Sequence, residues 1–275
     1  MEVDPLRREQ IETGMLLETV WQCFGEDYRH KPRAAVVASL RRAMQRHGAA
    51  TLTGLLEKLL HEAGTARAVL QALTTDAAMM FGDSWYQREV REALGPQLAS
   101  FALPRIWISQ CGSAESLLTL LLMLEEEGLR ERSTVYVTHG SARLLAQLRE
   151  ACIDGARLDE YDKLYRQAGG RFSLARYGRM QDGQFCFSQE LLSGVVLAEY
   201  NIHTDTSFNE FEWIEARESL ADLDGSSRKR ALTLYHNSLY HYGLIAVGHA
   251  PEIDSGPLAQ AYRPLHLGSA LYRKA

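Results

Sequence analysis

The residues of this chain with both the type and the setting for chemistry fall into a few groups. Cys111 sits among Ser109, Ser113 and Ser116 at an expected strand-to-helix turn. Helix N-terminal amides can lower a thiol's pKa there and make it a nucleophile, and a packed, inert cysteine is the plainer alternative. Glu115 follows at the helix start, placed either to meet a ligand or to interact favourably with the positive end of the helix dipole. His236 and His241 are close in an expected helix. Their spacing of five does not put both on one face, and no carboxylate completes a zinc set. Basic residues gather at Arg29, His30, Lys31, Arg33, Arg41, Arg42, Arg46 and His47, a face that suits an acidic protein surface or is merely solvated. Gly225-Ser226-Ser227 reads as a turn before a helix rather than a phosphate loop.

The elements that must position these groups can be read from periodicity. Ile11, Met15, Leu16, Val20 and Phe24 recur at helical spacing, as do Val36, Val37, Leu40 and Met44. Pro32 separates the two stretches, because proline lacks the amide a helix interior needs and pushes Lys31 out of helical geometry. Thr51 begins a third helix with a stripe of Leu52, Leu55, Leu56, Leu59 and Leu60, and a fourth covers 66–73. From Pro104 the pattern changes to a buried strand over 105–108, a polar turn over 109–114 and an apolar helix over 115–127. A second strand at 133–138 and a helix over 142–151 follow, the start of a parallel α/β sheet. Later strands are expected at 194–200, 211–216 and 244–248, and the Gly- and aromatic-rich stretch 171–187 suits a small antiparallel insertion. From Pro251 the chain reads as irregular, although Tyr262, Leu265, Leu267 and Tyr272 suggest that it packs.

Composition narrows the classes. With 275 residues, 46% hydrophobic and 24% charged, the chain is an ordinary globular protein and not a disordered, collagenous or disulfide-built one. A net charge of −5 argues against a nucleic-acid binder working by bulk charge. The longest apolar stretch, 117–124, is far short of the roughly 20 residues of a bilayer span, and the first ten residues do not form a secretory signal. Four scattered cysteines, Cys23, Cys111, Cys152 and Cys186, are expected to be reduced thiols in a cytoplasmic protein.

A series of short blocks adds a resemblance. Ala72-Leu73-Thr74-Thr75 leads to Met80-Phe81; Trp107, Cys111 and Glu115 follow; then come Tyr200-Asn201-Ile202, 211–218 (FEWIEARE), Leu223-Asp224 and 243–249 (GLIAVGH). In this order, over residues 10–252, they resemble the CheR family, bacterial chemoreceptor glutamate methyltransferases that use S-adenosylmethionine (SAM). The resemblance implies an α/β architecture: an N-terminal all-helical domain with linker over 1–88, then a Rossmann-like SAM-methyltransferase fold over 89–275. That second domain would carry a β insertion at about 171–190 and a C-terminal tail over 251–275. It also implies a packed Cys111, since the family does not use that cysteine as a nucleophile.

Departures from the family pattern concentrate at the positions that would touch ligand. Gln110 and Ala114 stand at the two glycines of the first strand–helix turn, where the absence of a Cβ lets a cofactor approach, and Gly112 is displaced from the pattern. His139 stands where an Asp would accept hydrogen bonds from the ribose diol, offering one acceptor nitrogen in place of two oxygens. Gly82 replaces an arginine, Asp76 and Ala78 replace an Asn and a Thr, and Asp222 replaces a tyrosine near the reacting groups. Asp76 would also meet the cofactor carboxylate as a like charge. Glu218 replaces an Asn beside the retained Arg217, and Asn201 with Ile202 is the best preserved part of the adenine side.

The reading that follows is a degenerate, non-catalytic methyltransferase-fold protein that acts in signalling or as a scaffold through protein contacts, with no catalytic residue and no cofactor expected. Its partner surface would be Arg41, Arg42 and Arg46, facing an acidic helical protein, with no nucleic acid, metal or membrane insertion. Two alternatives stand beside it: an active SAM-dependent protein-glutamate O-methyltransferase, and a binder of another nucleotide-like ligand in a cleft around Gln110, Glu115, His139 and Asn201. The fold does not choose among them.

Overall fold

The computed structural model describes residues 4–24, 27–29, 31, 33–73, 79–221, 223, 225–248 and 251–275. Its contacts divide the chain into two units, Met1–Asp76 with Asp222–Ser227, and Ala77–Ala221 with Arg228–Ala275.

The first unit is built on α1 (Pro5–Phe24), α2 (Arg33–His47), α3 (Leu52–His61) and α4 (Ala63–Leu73). Thr51 caps α3 as its sequence position predicts, its hydroxyl accepting from the Gly54 amide at 3.0 Å. Leu16, Leu17 and Val20 of α1, Val36 and Leu40 of α2, Leu55 and Leu59 of α3, and Val69 of α4 form one core. The buried stripe of α1 is rotated from the expected one. Thr13, Leu16, Leu17 and Val20 face inward, whereas Ile11, Met15 and Phe24 are exposed. The Pro32 break itself lies outside the described residues.

The second unit continues with α5 (Ser84–Ala99), β1 (Arg105–Ser109), α6 (Ala114–Glu126), β2 (Thr134–His139), α7 (Ala142–Glu150), β3 (Cys152–Asp154) and α8 (Leu158–Gln167). After these come β4 (Gly178–Gln181), β5 (Gln184–Phe187), β6 (Val195–Glu199), β7 (Phe211–Glu215), α9 (Arg217–Ala221), α10 (Gly225–Ser238), β8 (Leu239–Ala246), α11 (Pro251–Ser255), β9 (Tyr262–Pro264) and β10 (Leu271–Lys274). Seven strands form one sheet in the order β6-β2-β1-β7-β8-β10-β9, parallel except where β10 runs antiparallel to β8 and to β9. The Rossmann-like α/β expectation holds. Two of the sequence expectations are corrected, and two helices are added. The tail is not irregular, because its apolar Leu271 and Tyr272 extend the sheet. The helices α5 and α8 were not read from the sequence. Pro96 masks the first, and the second shows as a Leu158, Tyr161, Tyr165 stripe only once Tyr is counted as core. Finally, β8 begins at Leu239, so His241 is on a strand rather than on the helix that carries His236.

Trp107 anchors the sheet. It is fully buried, donates its Nε1–H to Thr138 Oγ1 at 2.8 Å, and is ringed by Tyr200, Phe208, Phe211 and Tyr235 at centroid distances of 5.2–5.5 Å. Helix α6 is buried all round from Leu117 to Leu124, where Thr119 is the one polar residue and bonds its hydroxyl to the Glu115 carbonyl. At its last residue, Glu126 pairs with Arg91 and accepts hydrogen bonds from Tyr165, Tyr177 and the Arg171 amide. Burial pushes the Glu126 carboxyl up, but these donors bring it below its ordinary value.

A separate three-stranded sheet, β3-β5-β4, carries another correction. Cys152 and Cys186 face each other across β3 and β5, their Cα atoms 4.1 Å apart, and form a disulfide. Only Cys23 and Cys111 are free thiols. The strand register that joins residues 34 apart in sequence is not visible in cysteine spacing. Among the described residues, no helix is long and apolar enough to cross a membrane.

Candidate functional site in the strand-end crevice

The strand order reverses at β1 and β7, and in open α/β sheets ligands bind outside the carboxyl ends of the strands at such a switch point. Four segments meet there: the turn after β1 (110–113), His139 at the end of β2, Tyr200-Asn201-Ile202 after β6, and Glu215 to Glu218 after β7. The sheet thus brings together Gln110, Ala114, Glu115, His139, Asn201, Ile202, Arg217 and Glu218. Asp76, Ala78 and Asp222 lie outside the described residues, and Arg41, Arg42 and Arg46 belong to the other unit, exposed on α2.

Each polar side chain in the crevice has a partner within the chain. Gln110 has φ 51°, the left-handed turn a glycine adopts without strain, and its amide donates to the Tyr200 carbonyl at 3.2 Å. The backbone path of a glycine turn is therefore kept while a long side chain occupies it. Gly112 has no positive φ, and a Cβ there would meet Glu218 Oε2 only at 4.0 Å, so this glycine marks space rather than a bend. Ser113 caps α6 by accepting from the Ser116 amide, and the two serine hydroxyls are 3.0 Å apart. Ser116 in turn donates to Glu218 Oε1, linking the start of α6 to α9. Ala114 opens α6 in the ordinary helical conformation. Glu115 accepts from the Tyr161 hydroxyl at 3.3 Å, and burial with that neighbouring charge pushes the Tyr161 hydroxyl up.

His139 accepts the Ser141 amide on Nδ1 at 3.0 Å, so its acceptor nitrogen is already used as a turn-forming group. Asn201 holds an exposed turn, accepting from the His203 amide at 2.9 Å, and Ile202 is buried beside it. Arg217 pairs with Asp83 at 2.6 Å and lies over the Tyr86 ring at 4.1 Å. Gly82 closes a turn through its amide to the Met79 carbonyl at 2.8 Å, and a Cβ there would fall 2.6 Å from Met79 Cβ. An arginine does not fit this turn as built.

Two groups were missed in the sequence. Glu215 ends β7 and accepts from the Tyr86 hydroxyl at 2.6 Å. A rim of the residue is accessible, but its carboxyl is enclosed. Burial pushes it up to about 7 despite the tyrosine hydrogen bond, with the Glu218 charge adding to the rise. The available signal was a carboxylate ending a run of apolar strand residues. Tyr235 accepts or donates with both Ser109 and Ser219 at 2.7 Å, fixing the floor of the crevice. The thiol of Cys111 is fully buried and pushed up by that burial, which agrees with the packed cysteine expected from the sequence and sets the activated nucleophile aside. Among the described residues no cluster of three His, Cys, Asp or Glu could hold a metal ion.

At three positions that the resemblance would assign to SAM contacts, the structure shows self-contained groups: His139 Nδ1 is bonded to backbone, Gly82 closes a tight turn, and the Gln110 side chain is bonded to the Tyr200 carbonyl.

Comparison with known proteins finds relatives of the chain. A family model described as "CheR methyltransferase, SAM binding domain" matches residues 80–263. A curated protein of Pseudomonas putida, named "Putative methyltransferase Cher3", is 28% identical over 269 residues, covering 98% of each chain. Among solved structures, the CurJ carbon methyltransferase matches with a TM-score of 0.40 and 14% identity, covering 92% of this chain and 55% of that one. The glycopeptide N-methyltransferase MtfA with S-adenosylhomocysteine matches with a TM-score of 0.36 and 15% identity, covering 68% and 62%. The chain thus spans less than two thirds of each of these two solved structures.

Proposed function

The chain belongs to the CheR methyltransferase family, and from that premise we propose that it is a non-catalytic member acting as a cytoplasmic signalling or scaffold protein through protein contacts. The observation that carries this reading is the Ser116–Glu218 hydrogen bond. It ties the two segments that flank the switch point to each other, and it sets a carboxylate beside Gly112 where the family pattern has a neutral Asn. Methyl transfer is chiefly a matter of positioning substrate against a methyl group that the cofactor supplies, so loss of the groups that hold the cofactor removes the activity.

The partner surface in this reading is the face of α2 that bears Arg41, Arg42 and Arg46. All three are exposed, Arg41 pairing with Glu9 and Arg42 donating to Ser39. Exposed ion pairs of this kind are worth little and exchange readily for those of an acidic helical partner.

A second reading, a SAM-dependent protein-glutamate O-methyltransferase, is favoured by one observation: Gln110 keeps the left-handed turn of the cofactor loop. Calorimetry with SAM and S-adenosylhomocysteine, with an active family enzyme as positive control, decides between them. No heat beyond dilution at millimolar ligand supports the non-catalytic reading, and micromolar binding overturns it.

A further inference from the structure

The other half of the sheet carries a feature that neither reading uses. Along β7, Phe211 lies opposite Leu239 and Trp213 opposite Leu244, so two steps on β7 match five on β8. The surplus residues, Tyr240-His241-Tyr242-Gly243, leave the ladder as a bulge at the amino end of β8, away from the crevice. Bulges of this kind re-aim side chains and recur beside binding sites. This one is tightly held. Tyr242 adopts φ 62°, a strained conformation for a tyrosine, and its carbonyl accepts from Gln97 Nε2 at 2.9 Å. A Cβ at Gly243 would come within 2.9 Å of the Tyr240 carbonyl and of Leu239 Cδ1, so only glycine closes the loop this way.

The result is two tyrosines turned toward solvent, Tyr240 41% and Tyr242 67% exposed. They border a half-open groove of about 540 Å³ between α5 and strands β8 and β10. Phe101 stands edge-on to Tyr240 at 5.9 Å and completes an aromatic wall. Glu92 and Arg273, both exposed and without a side-chain partner among the described residues, line the same groove. The aromatic faces are apolar and rigid, the tyrosine hydroxyls and the guanidinium are donors, and one carboxylate is free.

From this we infer that the groove binds a proline-rich peptide segment of a protein partner, held in the polyproline II conformation and flanked by a basic residue. Proline rings pack on aromatic ridges, and the exposed carbonyls of such a helix accept from tyrosine and arginine donors. The basic flank pairs with Glu92, the one carboxylate lining the groove. The site is independent of the strand-end crevice and stands whether or not that crevice takes a cofactor.

The test uses the full chain and a fluorescent peptide with a proline-repeat core flanked by arginines, titrated by anisotropy. A matched peptide with alanine in the core serves as control. Saturable binding of the proline peptide is expected, weakened about tenfold by Tyr240→Ala and by Tyr242→Ala, the scale of a hot-spot truncation. Glu92→Lys, on an exposed helix face and without consequence for folding, is expected to weaken it and to reduce its salt dependence. Unchanged thermal unfolding of that variant separates lost binding from lost fold. The inference is overturned by no binding at millimolar peptide, by equal binding of the alanine-core control, by affinity that the tyrosine and Glu92 variants leave unchanged, or by preference for a small aromatic acid over the peptide.

Discussion

The Ser116 hydroxyl donates to the Glu218 carboxylate, so the helix after the first strand and the turn after β7 are joined across the place where the sheet changes direction. Ser116 also sits 3.0 Å from the hydroxyl of Ser113, the cap of α6. The crevice is stitched by its own side chains, and the expectations below follow from that and from the surrounding packing.

Reopening the crevice should restore affinity for the cofactor. The combined variant Gln110→Gly, His139→Asp, Glu218→Asn removes the side chain from the turn, supplies two ribose acceptors and deletes the bridging carboxylate. Calorimetry should show SAM binding at least about tenfold tighter than in the parent, the equivalent of about 1.4 kcal/mol. Equal affinity in both proteins would mean that other features close the site.

Glu215 should make stability fall as pH rises. Its folded-state pKa, about 7, stands above the ordinary carboxylate value of 4.5. Between those values the native state binds the proton that the unfolded state has lost. The stabilisation is complete below about pH 4.5 and is lost as pH climbs to about 7, amounting to at most about 3 kcal/mol and less with solvent screening. Glu215→Gln keeps an acceptor for Tyr86 and cannot ionise. Its stability relative to the parent, measured by urea unfolding, should therefore improve from pH 5 to pH 8. A constant difference would remove Glu215 as the cause.

Breaking the buried pair of Arg91 and Glu126 should be costly. The Glu126 side chain is fully buried and Arg91 nearly so. Glu126→Ala would leave the guanidinium without its counter-charge and two tyrosine hydroxyls without their acceptor. A loss of about 3 to 5 kcal/mol is expected in chemical denaturation.

The Cys152–Cys186 bond closes a loop of 34 residues, so Cys186→Ser should lower stability by about 4 kcal/mol. Mass spectrometry after thiol blocking without reductant should find two alkylated cysteines, Cys23 and Cys111. Four alkylated cysteines would restore the all-thiol reading.

Alanine at Arg41, Arg42 and Arg46 together should weaken binding to an acidic helical peptide, and the difference should shrink as salt is raised, because exposed charges are screened. An affinity unchanged at low salt would remove α2 as the partner surface.

The sequence by itself determined the class of fold, because hydrophobic periodicity is local. The stripes of α2 and α3 and the apolar runs at Arg105–Ser109 and Phe211–Glu215 each need only their own neighbours to declare a helix or a buried strand. It also named candidate crevice residues, since the polar residues after those strands follow from the order of elements. What the side chains there do was decided only in three dimensions. Ser116 meets Glu218 from 102 positions away and Tyr86 meets Glu215 from 129, and no local pattern encodes a contact at that separation. The same holds for the Cys152–Cys186 pairing, and for the tail, whose strands form because β8 offers an edge to Leu271 and Tyr272. The left-handed turn at Gln110 is the sharpest case. Side-chain type argued against a glycine-like bend, and hydrogen bonding across the sheet to Tyr200 holds it there regardless.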